Sequence, residues 1–178
     1  MISAHVFIAT SLDGFIARPD GDIAWLLQRD DPAEDHGYRD FIAGKDLIVM
    51  GRATYESVAA LDPWPYDRLV VVLSRQLAGT PVPEAQRGRV RFCALAPKEL
   101  LADLQQQGVR RIYVDGGQVV QSFLRQDLVS DMVVTTVPVL LGAGRPLFGA
   151  VPQDMDWTLV ASRSFASGLV QSTYRRSP

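Results

Sequence analysis

The sequence predicts an α/β fold: a single domain, residues 1–178, with a mixed, mainly parallel twisted sheet, flanking helices and a C-terminal β-hairpin. Three observations carry this. Apolar strand-like runs alternate with helix-like segments, an order that builds right-handed crossovers and parallel pairing. One run, Leu69-Val70-Val71-Val72-Leu73, is continuously apolar, as a strand covered on both faces is. The last two segments, Trp157–Phe165 and Leu169–Arg175, alternate apolar and polar about Ala166-Ser167-Gly168. That pattern reads as a hairpin and makes the sheet mixed.

Taken in order, residues 2–9 read as a buried strand opening into the turn-rich loop Ser11-Leu12-Asp13-Gly14-Phe15-Ile16-Ala17. Pro32 with Ala33, Glu34 and Asp35 resembles a helix start, with proline and acids in the first turn, and Gly44 is its stop. Leu47–Met50 is a strand and Thr54–Ala59 a helix. Val90–Cys93 is a short strand. Pro97 opens a helix whose Leu100, Leu101 and Leu104 fit helical spacing, closed by Gly108. Arg111–Val114 is a strand, Gln118–Leu124 a helix and Met132–Val137 a strand. A long loop then carries Pro138, Gly142, Gly144 and Pro146.

Bulk properties narrow the function. The chain has 178 residues, is 47% hydrophobic and 21% charged, and carries a net charge of -2 with no long basic run. Nucleic acid is therefore an unfavoured partner. No apolar run approaches the roughly 20 residues of a membrane helix, and the start lacks a secretory signal, so a cytoplasmic location is expected. Cys93 is the single cysteine, and His5 and His36 lie far apart, so no metal is expected.

The most informative stretch is Met50-Gly51-Arg52-Ala53-Thr54-Tyr55-Glu56, directly after Leu47-Ile48-Val49. A strand runs into a glycine turn and a helix begins at once. Unpaired first-turn amides and the positive end of the macrodipole favour an anion there, and Arg52 can add a charged contact. An ordinary turn with a solvated arginine would read the same on this heptad alone. A second junction, Asp115-Gly116-Gly117, tips the balance: two such turns at the carboxyl ends of parallel strands can hold a pyrophosphate from both sides. Neither matches the standard dinucleotide fingerprint.

These motifs, in this order, resemble the dihydrofolate reductase-like superfamily. The long loop Pro138–Phe148 is similar to the branch formed by the reductase domain of bifunctional riboflavin biosynthesis proteins. The resemblance covers nearly the whole chain and implies about eight strands. It also implies an NADPH-dependent reductase acting on a small nitrogen heterocycle, first of all a ribosylaminopyrimidine of the riboflavin pathway. Dihydrofolate or a pterin is the alternative substrate, and an NADPH-binding regulatory module without chemistry is the alternative class. The same branch implies a homodimer with Val137–Leu141 and Gly142–Phe148 near the subunit contact.

Residue by residue, the resemblance gives Ala9 and Ile16 backbone contacts to the nicotinamide carboxamide. Leu12, Asp13 and Gly14 shape the covering loop. Asp13 and Phe15 face the substrate, with Phe15 and Ile16 half-closing the cleft. Gly51 and Thr54 with Gly116 and Gly117 hold the pyrophosphate, and Gln118 and Val119 continue the second turn. Arg52, with Ser74 or Arg75, meets the adenosine 2′-phosphate. The family's substrate-gripping carboxylate falls on Asp35 by gap-free counting from Gly51, although Asp30, Asp31, Glu34 and Asp40 are near and a helix start attracts acids anyway. Thr135 lies where a strand threonine is near the substrate, and Arg68 could hold an anionic tail. Asp115 in place of the family's first glycine, Val120 in place of an aromatic residue, and the absence of the Pro-Trp pair (Trp25 stands only roughly nearby) point away from folate.

Overall fold

A computed structural model describes residues 2–29, 31 and 34–177. Its main sheet is built from β1 (Ser3–Ser11), β3 (Leu47–Gly51), β4 (Leu69–Leu73), β5 (Val90–Cys93), β6 (Arg111–Asp115), β7 (Val129–Val137), β9 (Trp157–Ser164) and β10 (Val170–Arg176). The spatial order is β5-β4-β3-β6-β1-β7-β10-β9. The first six of these pair in parallel, and β10 and β9 close the edge antiparallel, so the sheet is mixed and mainly parallel, as expected.

Side-chain alternation divides the core between two faces. Leu47, Val49, Ile112, Val114 and Val6 point to one face, where they meet Leu100, Leu101 and Leu104 of α4 (Pro97–Gln106) and Val120, Phe123 and Leu124 of α5 (Gly117–Leu124). Ile48, Met50, Val70, Val72 and Tyr113 point to the other. There they meet Tyr55 of α3 (Arg52–Val58) and Tyr38 and Phe41 of α2 (Tyr38–Ala43). Ile48, Val49, Val71 and Val114 are fully buried, which explains why the central strands read as unbroken apolar runs.

Three local expectations change. The helix expected to begin at Pro32 starts at Tyr38; Pro32, Ala33 and Asp30 lie outside the described residues. The reason lies in Asp35. Its Oδ1 accepts the Gly37 amide at 2.9 Å and its carbonyl accepts the Tyr38 amide at 2.9 Å, while His36 and Gly37 take positive φ of 53° and 83°. An Asx-type turn thus replaces the first helical turns, and His36 belongs to that turn rather than to a helix. A short helix α1 (Ala24–Leu27) buries Trp25. Finally, the loop after β1 holds β2 (Phe15–Ala17), which pairs with β8 (Arg145–Pro146) as a separate two-stranded ribbon. No helix among the described residues is long and apolar enough to cross a membrane.

Candidate active site

The carboxyl ends of β1, β3 and β6 lie side by side, and the turns that leave them interlock. Gly116 has φ 87°, and a Cβ there would collide with Thr54 Oγ1. A Cβ on Gly117 would come to 2.9 Å from Ile16 Cδ1 and 3.0 Å from the Pro146 carbonyl oxygen. One on Gly51 would approach Val119 Cγ2 to 3.1 Å. At Gly116 and Gly117 only glycine permits this approach, whereas at Gly51 the contact is tight and Val119 would have to give by a few tenths of an ångström. The first-turn amides of α5 have no intrahelical acceptor, and Gly51, Thr54, Ile16, Gly116 and Gly117 meet beside them in one cradle, an arrangement able to receive an anion. Val119 is buried and serves packing, whereas Gln118 is exposed at the rim.

The cationic residues stand differently. Arg52 Nη1 is held by Glu56 Oε1 at 2.8 Å and Oε2 at 2.9 Å, one turn along α3. Ser74 and Arg75 follow β4, whose last residue Leu73 pairs with Gly51. Ser74 Oγ accepts the Leu77 amide at 3.2 Å, and Arg75 is exposed. Arg68 precedes β4, at the amino end of the sheet opposite the glycine turns. That position separates it from the cleft and does not suit the expected grip on a substrate tail.

The covering loop is tied down by Asp13. Its carboxylate accepts the Ser11 hydroxyl at 2.6 Å, the Gly142 amide at 2.8 Å and the Leu141 amide at 3.1 Å. These bonds, the Ser11 hydroxyl foremost, hold its pKa below the ordinary aspartate value. Asp13 thus fastens the loop Leu12–Gly14 to the loop after β7 and is occupied rather than turned to a substrate. Phe15 lies half-buried between the two loops, with Gly144 packed against its ring.

Thr135 is buried and pairs with Ala9 on one side and Gln171 on the other. Gln171 Nε2 donates to Thr135 Oγ1 at 2.9 Å and to the His36 carbonyl at 3.0 Å, which brings the Asp35 turn to the β7 row. The His36 ring meets Phe165 edge-on at 4.6 Å, and Arg163 lies over that same ring. Asp35 is exposed, and its oxygens accept the amides of Gly37 and Arg39, which lowers its pKa. The capping role weighed for Asp35 is therefore present in the structure. Asp40 is on α2 and exposed.

The residue that pattern reading passed over is Asp115. It ends β6 beside Met50, and its Oδ1 accepts the Gly116 amide at 2.9 Å. Burial raises its pKa to about 6, against the opposing effects of Tyr113 and the Gly116 amide. Burial and the nearby Asp115 charge push the Tyr38 phenol up to about 12, and burial, with the same charge, raises those of Tyr66 and Tyr113. A half-buried carboxyl among three phenols at a strand end can take or give a proton near neutral pH. The available signal was an acid occupying a glycine position. Among the described residues, no group of three His, Cys, Asp or Glu side chains could hold a metal.

Comparison with known proteins agrees with this fold. The chain is 34% identical over 175 residues to the uncharacterized protein YwjB of Bacillus subtilis (strain 168), covering 97% of both chains. It superposes with TM-score 0.93 and 37% identity on a crystal structure from Shewanella sp. PV-4 assigned provisionally to riboflavin biosynthesis, covering 99% of this chain and 100% of that one. A deaminase/5-amino-6-(5-phosphoribosylamino)uracil reductase of Thermotoga maritima matches with TM-score 0.75 at 14% identity, which shows shared fold alone; 99% of this chain covers 57% of that protein. The family model for the RibD C-terminal domain matches residues 4–171. With nearly its whole length matched, the chain belongs to the RibD C-terminal domain family, whose fold is that of the dihydrofolate reductases.

Proposed function

We propose that this protein is an NADPH-dependent reductase that delivers hydride to a ribosylaminopyrimidine of the riboflavin-pathway type. The observation that carries the reading is the meeting of two glycine turns at the carboxyl ends of neighbouring parallel strands: Gly116 and Gly117 pack against Thr54 and Ile16 with no room for a side chain, and the first-turn amides of α5 from Gly117 onward stand free of intrahelical acceptors. That arrangement suits a dinucleotide pyrophosphate. The dinucleotide would supply the hydride; the protein supplies position, electrostatics and exclusion of water.

In this reading Gly51, Thr54, Gly116 and Gly117 hold the pyrophosphate, Gln118 flanks it, and Ala9 and Ile16 offer backbone groups to the carboxamide. Arg52, Ser74 and Arg75 surround the adenosine end. Asp35 and Thr135 flank the substrate from the α2 side with Phe15 closing over it, and Asp115 exchanges protons at its far edge. The family supports a riboflavin-pathway, reductase-like role. A homodimer through the loop after β7 belongs to the same proposal, supported by the exposure of Leu140 and Phe148. The test is NADPH oxidation, followed optically, with the ribosylaminopyrimidine and with dihydrofolate. Turnover of the first alone is expected; turnover of dihydrofolate alone, or none with either, would overturn it.

A further inference from the structure

The amino-terminal half of the sheet carries a second polar cavity, of about 370 Å³, on the face that α2 covers only in part. It is reached from His5, four residues before Ala9 on β1, so it lies roughly 13 Å down the strand from the cradle end. Its walls hold three cations: Lys45 from the end of α2, Arg111 at the start of β6 and Arg175 on β10. Lys45 is only 6% exposed; its Nζ donates to the Phe41 carbonyl at 3.0 Å and sits 4.1 Å from the Phe41 ring centroid. Among the described residues none of the three cations has a carboxylate within ion-pair distance. A buried, unpaired ammonium is costly, and its pKa is lowered by desolvation first and then by Arg111.

Nearby carboxylates attract these cations through space, Asp131 acting on Lys45 and Asp46 on Arg111, without closing an ion pair with them. Asp131 Oδ2 meets His5 Nδ1 at 2.7 Å, and Asp46, beside Arg111, accepts the amides of Arg110 and Arg111 on its Oδ2. Asp40 lines the opening and is exposed. His5 Nε2 also meets Ser3 Oγ at 2.8 Å, so Ser3, His5 and Asp131 stand in the order of a nucleophile triad. Nucleophilic chemistry is not favoured, because the amides that could stabilise an oxyanion are used: Ser3 N–H on the Arg110 carbonyl, and those of Arg110 and Arg111 on Asp46. The chain instead fixes His5 and Asp131 as one rigid wall.

We propose that this cavity is a second ligand site, separate from the reductase cleft, for a small phosphate bearing hydrogen-bond donors, either hydrogen phosphate or a phosphorylated polyol. Lys45, Arg111 and Arg175 neutralise the phosphate, as arginine forks and a desolvated ammonium do well. Asp40 and Asp131 accept from its P–OH or adjacent hydroxyls, which a fully ionised, donor-free anion lacks.

The test is titration of the ¹⁵N-labelled full chain with inorganic phosphate, glycerol 3-phosphate and glycerol at ionic strength held constant with sodium chloride. Saturable shifts at His5, Lys45 and Asp131 are expected with both phosphates, with half-saturation below about 10 mM, and none with glycerol. If only glycerol 3-phosphate saturates, the polyol arm is the recognised source; if both do, the phosphate suffices. Arg111 and Arg175 are exposed, so the double variant R111Q/R175Q should fold, as circular dichroism would verify, and bind at least tenfold more weakly. Shifts confined to Gly51–Thr54 and Gly116–Val119, equal response to glycerol, no saturation, or unchanged affinity in the double variant would each overturn the site.

Discussion

Thr54 Oγ1 occupies the space that a Cβ on Gly116 would need. Two turns more than sixty residues apart are thereby locked at van der Waals distance, and the consequence is a specific mutational signature. Gly116→Ala should lose about 1–3 kcal/mol of stability, from the collision and from the positive φ together, and should weaken NADPH. Adding Thr54→Ala should recover the part due to collision. Urea unfolding of the two single variants and the double variant measures the coupling; strict additivity would show that the contact does not matter.

The ion pair of Arg52 with Glu56 competes with any phosphate at the adenosine end. Arg52→Ala should weaken NADPH about tenfold or more while leaving NADH nearly unchanged, the loss of one charge-assisted contact being about 1.5–3 kcal/mol. Glu56→Gln should do the reverse on a small scale, tightening NADPH about twofold, because an exposed pair of this spacing is worth about 0.3–0.5 kcal/mol. Calorimetric titration with both cofactors decides. Equal effects on NADPH and NADH would move the 2′-phosphate contact to Ser74 and Arg75.

Asp115 gives a pH prediction with a definite sign. Its folded pKa of about 6 lies above the ordinary 3.8, so the stability it gains by staying protonated is complete below about pH 3.8 and is lost as pH rises through 6. That loss amounts to as much as about 3 kcal/mol at pH 8. Asp115→Asn should therefore be more stable than the parent at pH 8 and indistinguishable near pH 4. Thermal unfolding across that range tests it; a pH-independent difference would remove the raised carboxyl. In the reductase reading, the limb of kcat/KM near pH 6 should vanish in the same variant.

Asp35 is bound to the turn before α2, and in the reductase reading it also grips the substrate. Asp35→Asn should lower kcat/KM about ten- to a hundredfold without changing NADPH affinity, and Thr135→Val should act on the same parameter. Steady-state kinetics with cofactor titration separates gripping from capping. Unchanged turnover in Asp35→Asn would leave it as a cap and move the search to Asp31.

Leu140 and Phe148 are 70% and 50% exposed, an apolar pair on one loop. Light scattering at micromolar concentration should give a dimer, and L140K/F148E should give a monomer. A monomeric parent chain would end the dimer proposal.

Most of the sheet was legible because buried parallel strands betray themselves locally: Leu69–Leu73 and Leu47–Met50 lack the polar alternation of a half-exposed strand. Both glycine turns were legible for the same reason, since each is a short-range signature. The start of α2 was not, because one Asp35 side chain outcompeted a good helix-start pattern by bonding two amides. The ribbon of Phe15–Ala17 with Arg145–Pro146 and the bridge from Gln171 to Thr135 and His36 join distant segments, and no local periodicity announces them. Asp115 was visible only as a departure; its meaning depends on burial and on the phenols of Tyr38 and Tyr66 brought in from elsewhere in the chain beside that of Tyr113 on its own strand.

The clasp of Asp13 on Leu141 and Gly142 reaches across most of the chain. Nothing can enter beneath Leu12–Gly14 without carrying the distant segment along, so the two behave as one jaw. The gape of that jaw is then set by the length of the segment after β7, where residues can be added or removed without disturbing the sheet. A change in that segment can thus alter what enters beneath Leu12–Gly14 from a position far from the glycine turns, and in the proposed dimer the same segment makes that gape answer to the neighbour.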